Sequence, residues 1–304
     1  MPTTSVVIPT YNRCGSIERA ISSVLSQTVD DFEIIVVDDG SDDDTVAVVE
    51  SYADDRVQLV RHEQNRGANA ARNSGVKHAS GEYISFLDSD DELHPEHLAR
   101  VRDRLAESTD QCVGAFTSFE RLIDGTVAGI SRAPDAEVGV DYLSDGNAIG
   151  TLSCTTFESQ LLEAGGWFDE QLLASQDLDF YLRVLESNTM VGIDEVLVSK
   201  HVFDENIGSC YRRKRQGFDR VLEKHEEKLS NAYISHQYRV LGRLQAQKGN
   251  MLPARTLFRK SMAENRYNLG SACLYLLSFL GRDTLTYGVS KARRGRRVFD
   301  RLFG

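Results

Sequence analysis

Three clusters of acidic side chains are spaced as chemistry would need them. The densest is Phe86-Leu87-Asp88-Ser89-Asp90-Asp91, where three carboxylates in four positions close an apolar run. Like charges this close repel, so a positive group is expected to offset them. Hard divalent cations prefer carboxylate oxygens, and magnesium commonly joins one or two carboxylates to a substrate phosphate. The cluster therefore reads as a metal–diphosphate site, with a solvated acidic turn as the competing account. A second cluster, Val36-Val37-Asp38-Asp39-Gly40-Ser41, sends two carboxylates into a glycine turn. An ionised carboxylate only accepts hydrogen bonds, so this pair suits a base edge or a ribose; a capped helix start explains the same residues equally well. The third is Gln176-Asp177-Leu178-Asp179. One carboxylate beside a sugar could act as general base, whereas favourable charge at a helix N-terminus is the plainer account of that segment alone.

These clusters need elements to carry them, and the first hundred residues alternate strand and helix signals. Ser5–Ile8 is a β-branched run; Ile17–Leu25 has apolar residues at helical spacing. Phe32–Val37 is apolar except for Glu33, as a buried parallel strand would be. Ser41 and Asp44 form a capping box that predicts a helix opening there. Val57–Val60 and Tyr83–Leu87 read as strands, Ala68–His78 and 95–107 as helices. Such alternation means a parallel α/β sheet, in which ligands bind beyond the carboxyl ends of strands. Asp38-Asp39 and the Asp88–Asp91 cluster both fall at such ends.

Beyond residue 111 the pattern is mixed. Val113–Phe119 pairs with a hairpin partner at Val127–Ile130, Gly165-Gly166-Trp167 turns, Leu178–Leu185 is helical, and Met190–Ile193 and Val196–Ser199 read as two short strands. From 206 the reading is helical, with Leu241–Met262 resembling one tetratricopeptide-like hairpin, a weak signal in a single copy.

Charge divides the 304-residue chain in the same place. The net charge of −11 averages 14 basic and 37 acidic residues up to position 200 with 21 basic and 9 acidic residues after it. The acidic part would repel a phosphate backbone, which argues against nucleic acid as a partner. No stretch reaches the roughly 18 apolar residues of a membrane span. Five scattered cysteines without a Cys-x-x-Cys pair argue against a disulfide framework and for a reducing, cytoplasmic setting.

Taken together the motifs resemble the family 2 glycosyltransferases of GT-A fold. The residues that carry the likeness are Ser5-Val6-Val7-Ile8-Pro9-Thr10-Tyr11-Asn12-Arg13, Val37-Asp38-Asp39-Gly40-Ser41, Asn65-Arg66-Gly67 with Ala71-Arg72-Asn73-Ser74-Gly75, Gly81 through Asp91, and the Asp177 segment. The resemblance spans roughly residues 4–200 and implies a Rossmann-like, mostly parallel sheet flanked by helices; it does not cover the tail, whose own residues read as a C-terminal helical appendage. It implies a catalytic domain over 1–205, its nucleotide-binding half over 1–110 and its acceptor half over 111–205, and leaves 206–304 as a basic helical tail. Pro9, Tyr11 and Asp39 would line the nucleoside, Arg72 would lie close to the nucleotide, and Asp88 would contact the ribose or the metal's shell. Asp90 would ligate Mg²⁺ or Mn²⁺ on the diphosphate of a nucleotide-sugar donor, and Asp177 would deprotonate the acceptor hydroxyl, inverting the anomeric carbon. His201 falls about where the family often has a metal-reaching histidine, with a structural role as the alternative.

Gln176 departs from the family's common Glu, removing a neighbouring charge from the base. Trp167 either stacks on the acceptor sugar or packs in the core, and Cys154 has no base beside it and is assigned no nucleophilic role. The expected acceptor is a glycan or a lipid-linked sugar on the cytoplasmic face. Leu269–Leu280, followed by six basic residues between Lys291 and Arg301, suits contact with an anionic membrane surface. The alternatives are a polyprenyl-phosphate sugar synthase and an enzyme-dead nucleotide-binding scaffold. A phospho-receiver reading of Asp38-Asp39 fails because Arg61-His62, not an aspartate, follows the next strand.

Overall fold

In a computed structural model, residues 2–163, 167–202 and 211–281 are described. The chain parts into two compact units, Met1–Leu143 with Asn147–Asn206, and Ser144–Gly146 with Ile207–Gly304.

The first unit opens with β1 (Thr4–Thr10), α1 (Ile17–Leu25), β2 (Phe32–Asp38), α2 (Thr45–Glu50), β3 (Val57–Arg61), α3 (Ala68–His78) and β4 (Tyr83–Phe86). β5 (Glu92–Leu93), α4 (His97–Ala106), β6 (Cys112–Ile123), β7 (Thr126–Ser131) and β8 (Glu137–Val138) follow, then β9 (Thr155–Glu158), α5 (Ser159–Glu163), α6 (Gln176–Val184) and β10 (Thr189–His201). The sheet runs β3-β2-β1-β4-β9-β6-β10-β5, with β7 on β6 and β8 on β10. β1 is parallel to both β2 and β4, and β9 runs antiparallel between β4 and β6. The architecture is the mostly parallel, helix-flanked sheet that the sequence implies. Chain order reverses between β1 and β4, the switch point at which open α/β sheets bind ligands. The carboxyl ends of these two strands carry Tyr11 and the Asp88–Asp91 cluster.

Side-chain pattern explains this packing. β1 and β2 are buried at every position. Glu33, at the buried start of β2, accepts hydrogen bonds from Ser5 Oγ at 2.6 Å and the Ser80 amide at 2.7 Å. α3 lies against β1 closely enough that a Cβ on Gly75 would stand 2.3 Å from Val7 Cγ1. Only glycine fits there, and the approach brings Arg72, one turn earlier, to the sheet's carboxyl edge.

Three local expectations need correction. The capping box does not form, and α2 starts at Thr45, not near Ser41. Ser41 Oγ instead accepts from the Asn12 amide at 2.9 Å, and Asp43 accepts from the Thr45 amide at 2.9 Å. Competing partners across the loop thus take the would-be cap. α4 starts at His97 with Glu96 as its N-cap, two residues later than the helix read over 95–107. The two short strands at 190–199 are one strand, β10, with register shifts around Ile193–Val198. The bulge lifts Asp194 and Glu195 outward, where they pair with Arg132 at 3.0 Å and Arg100 at 3.3 Å. Gly165-Gly166 lies outside the described residues.

The second unit contains α7 (Tyr211–His225), α8 (Asn231–Gln247), α9 (Met251–Glu264) and α10 (Leu269–Leu277). α8 and α9 form the hairpin expected at 241–262 but extend well beyond it. A Cβ on Gly242 would come within 2.6 Å of the Phe258 ring, so glycine sets how closely the two helices approach. Ala246, Ala254 and Phe258 form the small core, with Met251, Leu274 and Leu277 packed against it. Buried hydroxyls of Ser235, Ser261 and Ser271 satisfy one another across the three helices. Among the described residues no helix is long and apolar enough to cross a membrane. The basic residues from Lys291 onward, Asn206, Ser209 and Cys210 lie outside the described residues.

Candidate active site

The acidic turn after β4 is where the charges gather. Carboxylate oxygens of Asp88, Asp90 and Asp91 all lie within 4.8 Å of one another. Cations come from three other parts of the chain. Arg72 of α3 reaches Asp88 at 2.7 Å, Lys200 of β10 stands 3.6 Å from Asp91 and 4.0 Å from Asp88, and Arg13 after β1 is 3.8 Å from Asp90. Buried Ser153 donates to Asp91 at 2.6 Å and accepts the Asp88 amide at 3.1 Å, which locks the turn.

This crowding sorts the three acids. Burial opposes the ionisation of Asp88, but Arg72 and Lys200 outweigh it and hold its carboxyl low. Burial and then the Asp88 charge push Asp90 up. Burial likewise pushes Asp91 up to about 7. Lys200 stays a firm cation: burial works against its charge, and the surrounding carboxylates of Asp91, Asp88 and Asp90 more than restore it. The donor set of hard carboxylate oxygens fits Mg²⁺ or Mn²⁺. His201 is not drawn into that set; its Nε2 lies 2.6 Å from Glu92, and its amide donates to Asp91 at 3.1 Å.

Asp177 stands in the first turn of α6 and shares one cleft with the acidic turn. Arg72, Asp88, Asn147, Gln176, Asp177 and Lys200 are among the side chains lining a cavity of about 360 Å³. Burial raises the Asp177 carboxyl; the Leu178 amide and the charges of Lys200 and Arg72 pull the other way. Its neighbour Asp179 is fully buried and ion-paired with Arg183 at 3.2 Å. The two acid-bearing segments share an aromatic core. Phe86, two residues before Asp88, meets Phe168 edge-on at 5.2 Å, and Phe168 stacks on Phe180, three residues after Asp177, at 4.4 Å. Each such pair contributes ~0.5–1.5 kcal/mol beyond its burial.

The remaining candidates divide. Asp39 is buried, and its carboxylate already serves the chain: the Gly67 amide donates at 2.7 Å, the Arg66 amide at 2.9 Å, and His62 Nδ1 lies at 2.7 Å. His62 Nε2 continues the relay to Ser74 Oγ at 2.8 Å. Three of a carboxylate's roughly four acceptor positions are thereby filled. Pro9 is buried in β1, and Tyr11 beyond it is 43% exposed. Neither residue, nor Asp39, lines the Asp177 cleft. Trp167 takes Lys77 over its ring at 5.1 Å and also lies outside the cleft lining. Burial pushes the Cys154 thiol up to about 12, which removes any thiolate.

Sequence reasoning missed Lys200, Asn147 and Ser153. The repulsion within the acidic turn was the signal that a cation existed; nothing local named Lys200, 109 positions beyond Asp91.

The family model "Glycosyl transferase family 2" matches residues 5–139. The chain is 32% identical over 213 residues to the "Putative teichuronic acid biosynthesis glycosyltransferase TuaG" of Bacillus subtilis, covering 68% of this chain and 82% of that protein. It is 28% identical to the "UDP-Glc:alpha-D-GlcNAc-diphosphoundecaprenol beta-1,3-glucosyltransferase WfgD" of Escherichia coli, covering 78% of this chain and 92% of that one. The fold matches that of S. aureus TarS 1-349 in complex with UDP-GlcNAc, with a TM-score of 0.61 at 21% identity over 89% of this chain and 92% of that chain. The order of the strands, the acidic turn at the switch point and the similarity to TuaG along most of its length converge: the chain belongs to the family 2 glycosyltransferases of GT-A fold.

Proposed function

We propose that this protein transfers a sugar from a UDP-sugar to a hydroxyl of a lipid-diphosphate-linked glycan, with inversion at the anomeric carbon. The observation that carries the reading is the single cleft lined by Asp88 and its cations Arg72 and Lys200 together with the carboxylate of Asp177. The names of the relatives supply the substrate class, since WfgD is named for a UDP-sugar donor and a diphosphoundecaprenol-linked acceptor.

In this reading Asp90, with Asp88 and Asp91, would hold a divalent cation against the donor diphosphate. When bound, that ion supplies charge neutralisation for the departing nucleoside diphosphate. Arg72 and Lys200 add positive charge at the same end. Pro9 and Tyr11 flank the nucleoside, and Asp39 uses its remaining acceptor position on the base while it fastens the loop at 62–67. Asp177 takes the proton from the acceptor hydroxyl as that oxygen bonds to the anomeric carbon. The bond from that carbon to the diphosphate oxygen breaks on the opposite face, and its electron pair leaves with the nucleotide.

We assign the catalytic work to residues 1–205 and membrane contact to 206–304. α10 and its flanks expose Leu269, Leu276, Phe279 and Leu280, each more than half accessible. With the basic residues from Lys291 onward, these suit a peripheral site on an anionic cytoplasmic leaflet, within reach of a lipid-linked acceptor.

The test is UDP release from a panel of UDP-sugars, with Mn²⁺ and with EDTA, with and without undecaprenyl-diphosphate-linked GlcNAc. Metal-dependent, acceptor-stimulated release from one donor is expected, and silence of Asp177→Asn beside an active wild type. Silence of the wild type on every donor with the acceptor present would overturn the reading. Flotation with anionic vesicles and not with neutral ones is expected of the full chain.

A further inference from the structure

Asn147 is not part of any motif, yet its amide is fully committed. The Gly150 N–H donates to its Oδ1 at 2.8 Å. A backbone N–H only donates, so the oxygen must face Gly150, and the orientation of the amide follows. Nδ2 then gives one hydrogen to the Gly150 carbonyl at 2.6 Å and the other to Asp177 Oδ2 at 2.7 Å. The second oxygen of Asp177 receives the Leu178 amide at 2.8 Å. Two N–H donors therefore hold the carboxylate at both ends and leave it acceptor positions for a substrate proton.

We infer that Asn147 is a positioning residue for Asp177, an uncharged donor that fixes the carboxylate's rotation while leaving it basic. This rests on the reading of Asp177 as general base. The chemistry favours an amide here. A guanidinium or ammonium in the same place would stabilise the ionised form strongly and weaken the base, whereas a neutral donor orients it at small cost in proton affinity. The other charged groups lining the cleft with Asp177 are Arg72 from α3, Asp88 from the turn after β4, Arg121 from β6 and Lys200 from β10. Among the described residues, Asn147 is the one side chain that hydrogen-bonds Asp177 directly.

The decisive variant is Asn147→Asp. It keeps an oxygen for the Gly150 N–H but gives up the bond to the Gly150 carbonyl, and it replaces the donor facing Asp177 with a second carboxylate. The pair would then share a proton, as carboxylates in contact do. The expected result is a fall in kcat on the order of 100-fold at neutral pH. The acid limb of the pH profile should move up by about one unit or more, so that activity partly returns in alkali. KM for the UDP-sugar should stay close to wild type, and the melting temperature should fall no further than in Asn147→Ala, which loses the same bond to Gly150. Asn147→Ala should lower kcat about tenfold with a smaller shift in the same direction. A wild-type pH profile in Asn147→Asp beside a dead Asp177→Asn overturns the role of Asn147 alone. Loss of donor binding and thermal stability in step with kcat also overturns it, because that marks a structural residue. Full activity in Asp177→Asn overturns the base assignment and this inference with it.

Discussion

Two acidic turns leave the parallel strands on either side of β1, and they are held in opposite ways. Asp39, after β2, is satisfied by amides and an imidazole of its own chain, which close the loop at 62–67 around it. Asp88, Asp90 and Asp91, after β4, are balanced by cations borrowed from α3, β10 and the turn after β1. The first carboxylate is anchored by short, directional bonds to amides and an imidazole of its own chain. The second group is held by charge, and charge can be exchanged for another cation. An acid at a strand's carboxyl end is therefore either a fastener or a ligand, and its partners tell which.

The sharpest contrast comes from removing one acid from each turn. Asp90→Asn should reduce metal-dependent transfer by about 1,000-fold or more, because it removes charge from the ligand set. It should leave urea stability unchanged or slightly higher, since a carboxyl that burial disfavours is replaced by a neutral amide. Asp39→Ala should do the reverse on stability and cost about 3 kcal/mol, because the Arg66 and Gly67 amides and the buried His62 ring lose their acceptor. Equal destabilisation by both substitutions would erase the distinction between the turns.

Acid pH sharpens the comparison with a group that neither turn uses. His97, at the start of α4, is fully buried, and burial pushes its pKa down to about 4 from an ordinary 6.5. The unfolded chain takes the proton first, so its contribution is complete above pH 6.5 and is lost as pH falls towards 4. The loss amounts to about 3 kcal/mol. Urea melts between pH 7.5 and 4.5 should show it, and His97→Leu should flatten that slope. An unchanged slope would place the acid sensitivity elsewhere.

The smallest expected effect concerns Lys200. Its ammonium lies 3.6 Å from Asp91 and opposes an incoming cation. Lys200→Met should tighten Mn²⁺ binding to the nucleotide-free protein about three- to tenfold, read by electron paramagnetic resonance. Weaker binding would mean that Lys200 shapes the acidic turn and does not compete for it.

What could be read from the sequence follows how local each determinant is. α1 and α3 begin and end where their apolar and Ala-rich spacing places them, because one buried face fixes a helix. The acidic turns were visible as interruptions of apolar runs. The false capping box at Ser41 shows the limit: the hydroxyl had a better partner in Asn12, across a loop. Lys200, Asn147 and Ser153 carry no local signal because their role exists only where distant segments meet. β10 read as two strands because its bulge puts two acids, Asp194 and Glu195, into the middle of an apolar pattern.

The stack of Phe86, Phe168 and Phe180 has a consequence for how such an enzyme can be redesigned. It works as a keel: the acidic turn after β4 and the first turn of α6 are mounted on one aromatic cluster, so the spacing of Asp88 and Asp177 cannot be tuned from either side alone. Changing which sugar or which hydroxyl is accepted must then come from the gunwales, the less buried side chains of Arg121 and Ser131 that also line the cleft. Substitutions there can vary without moving Asp177 relative to Asp88, whereas a smaller ring at Phe168 would detune every substrate at once.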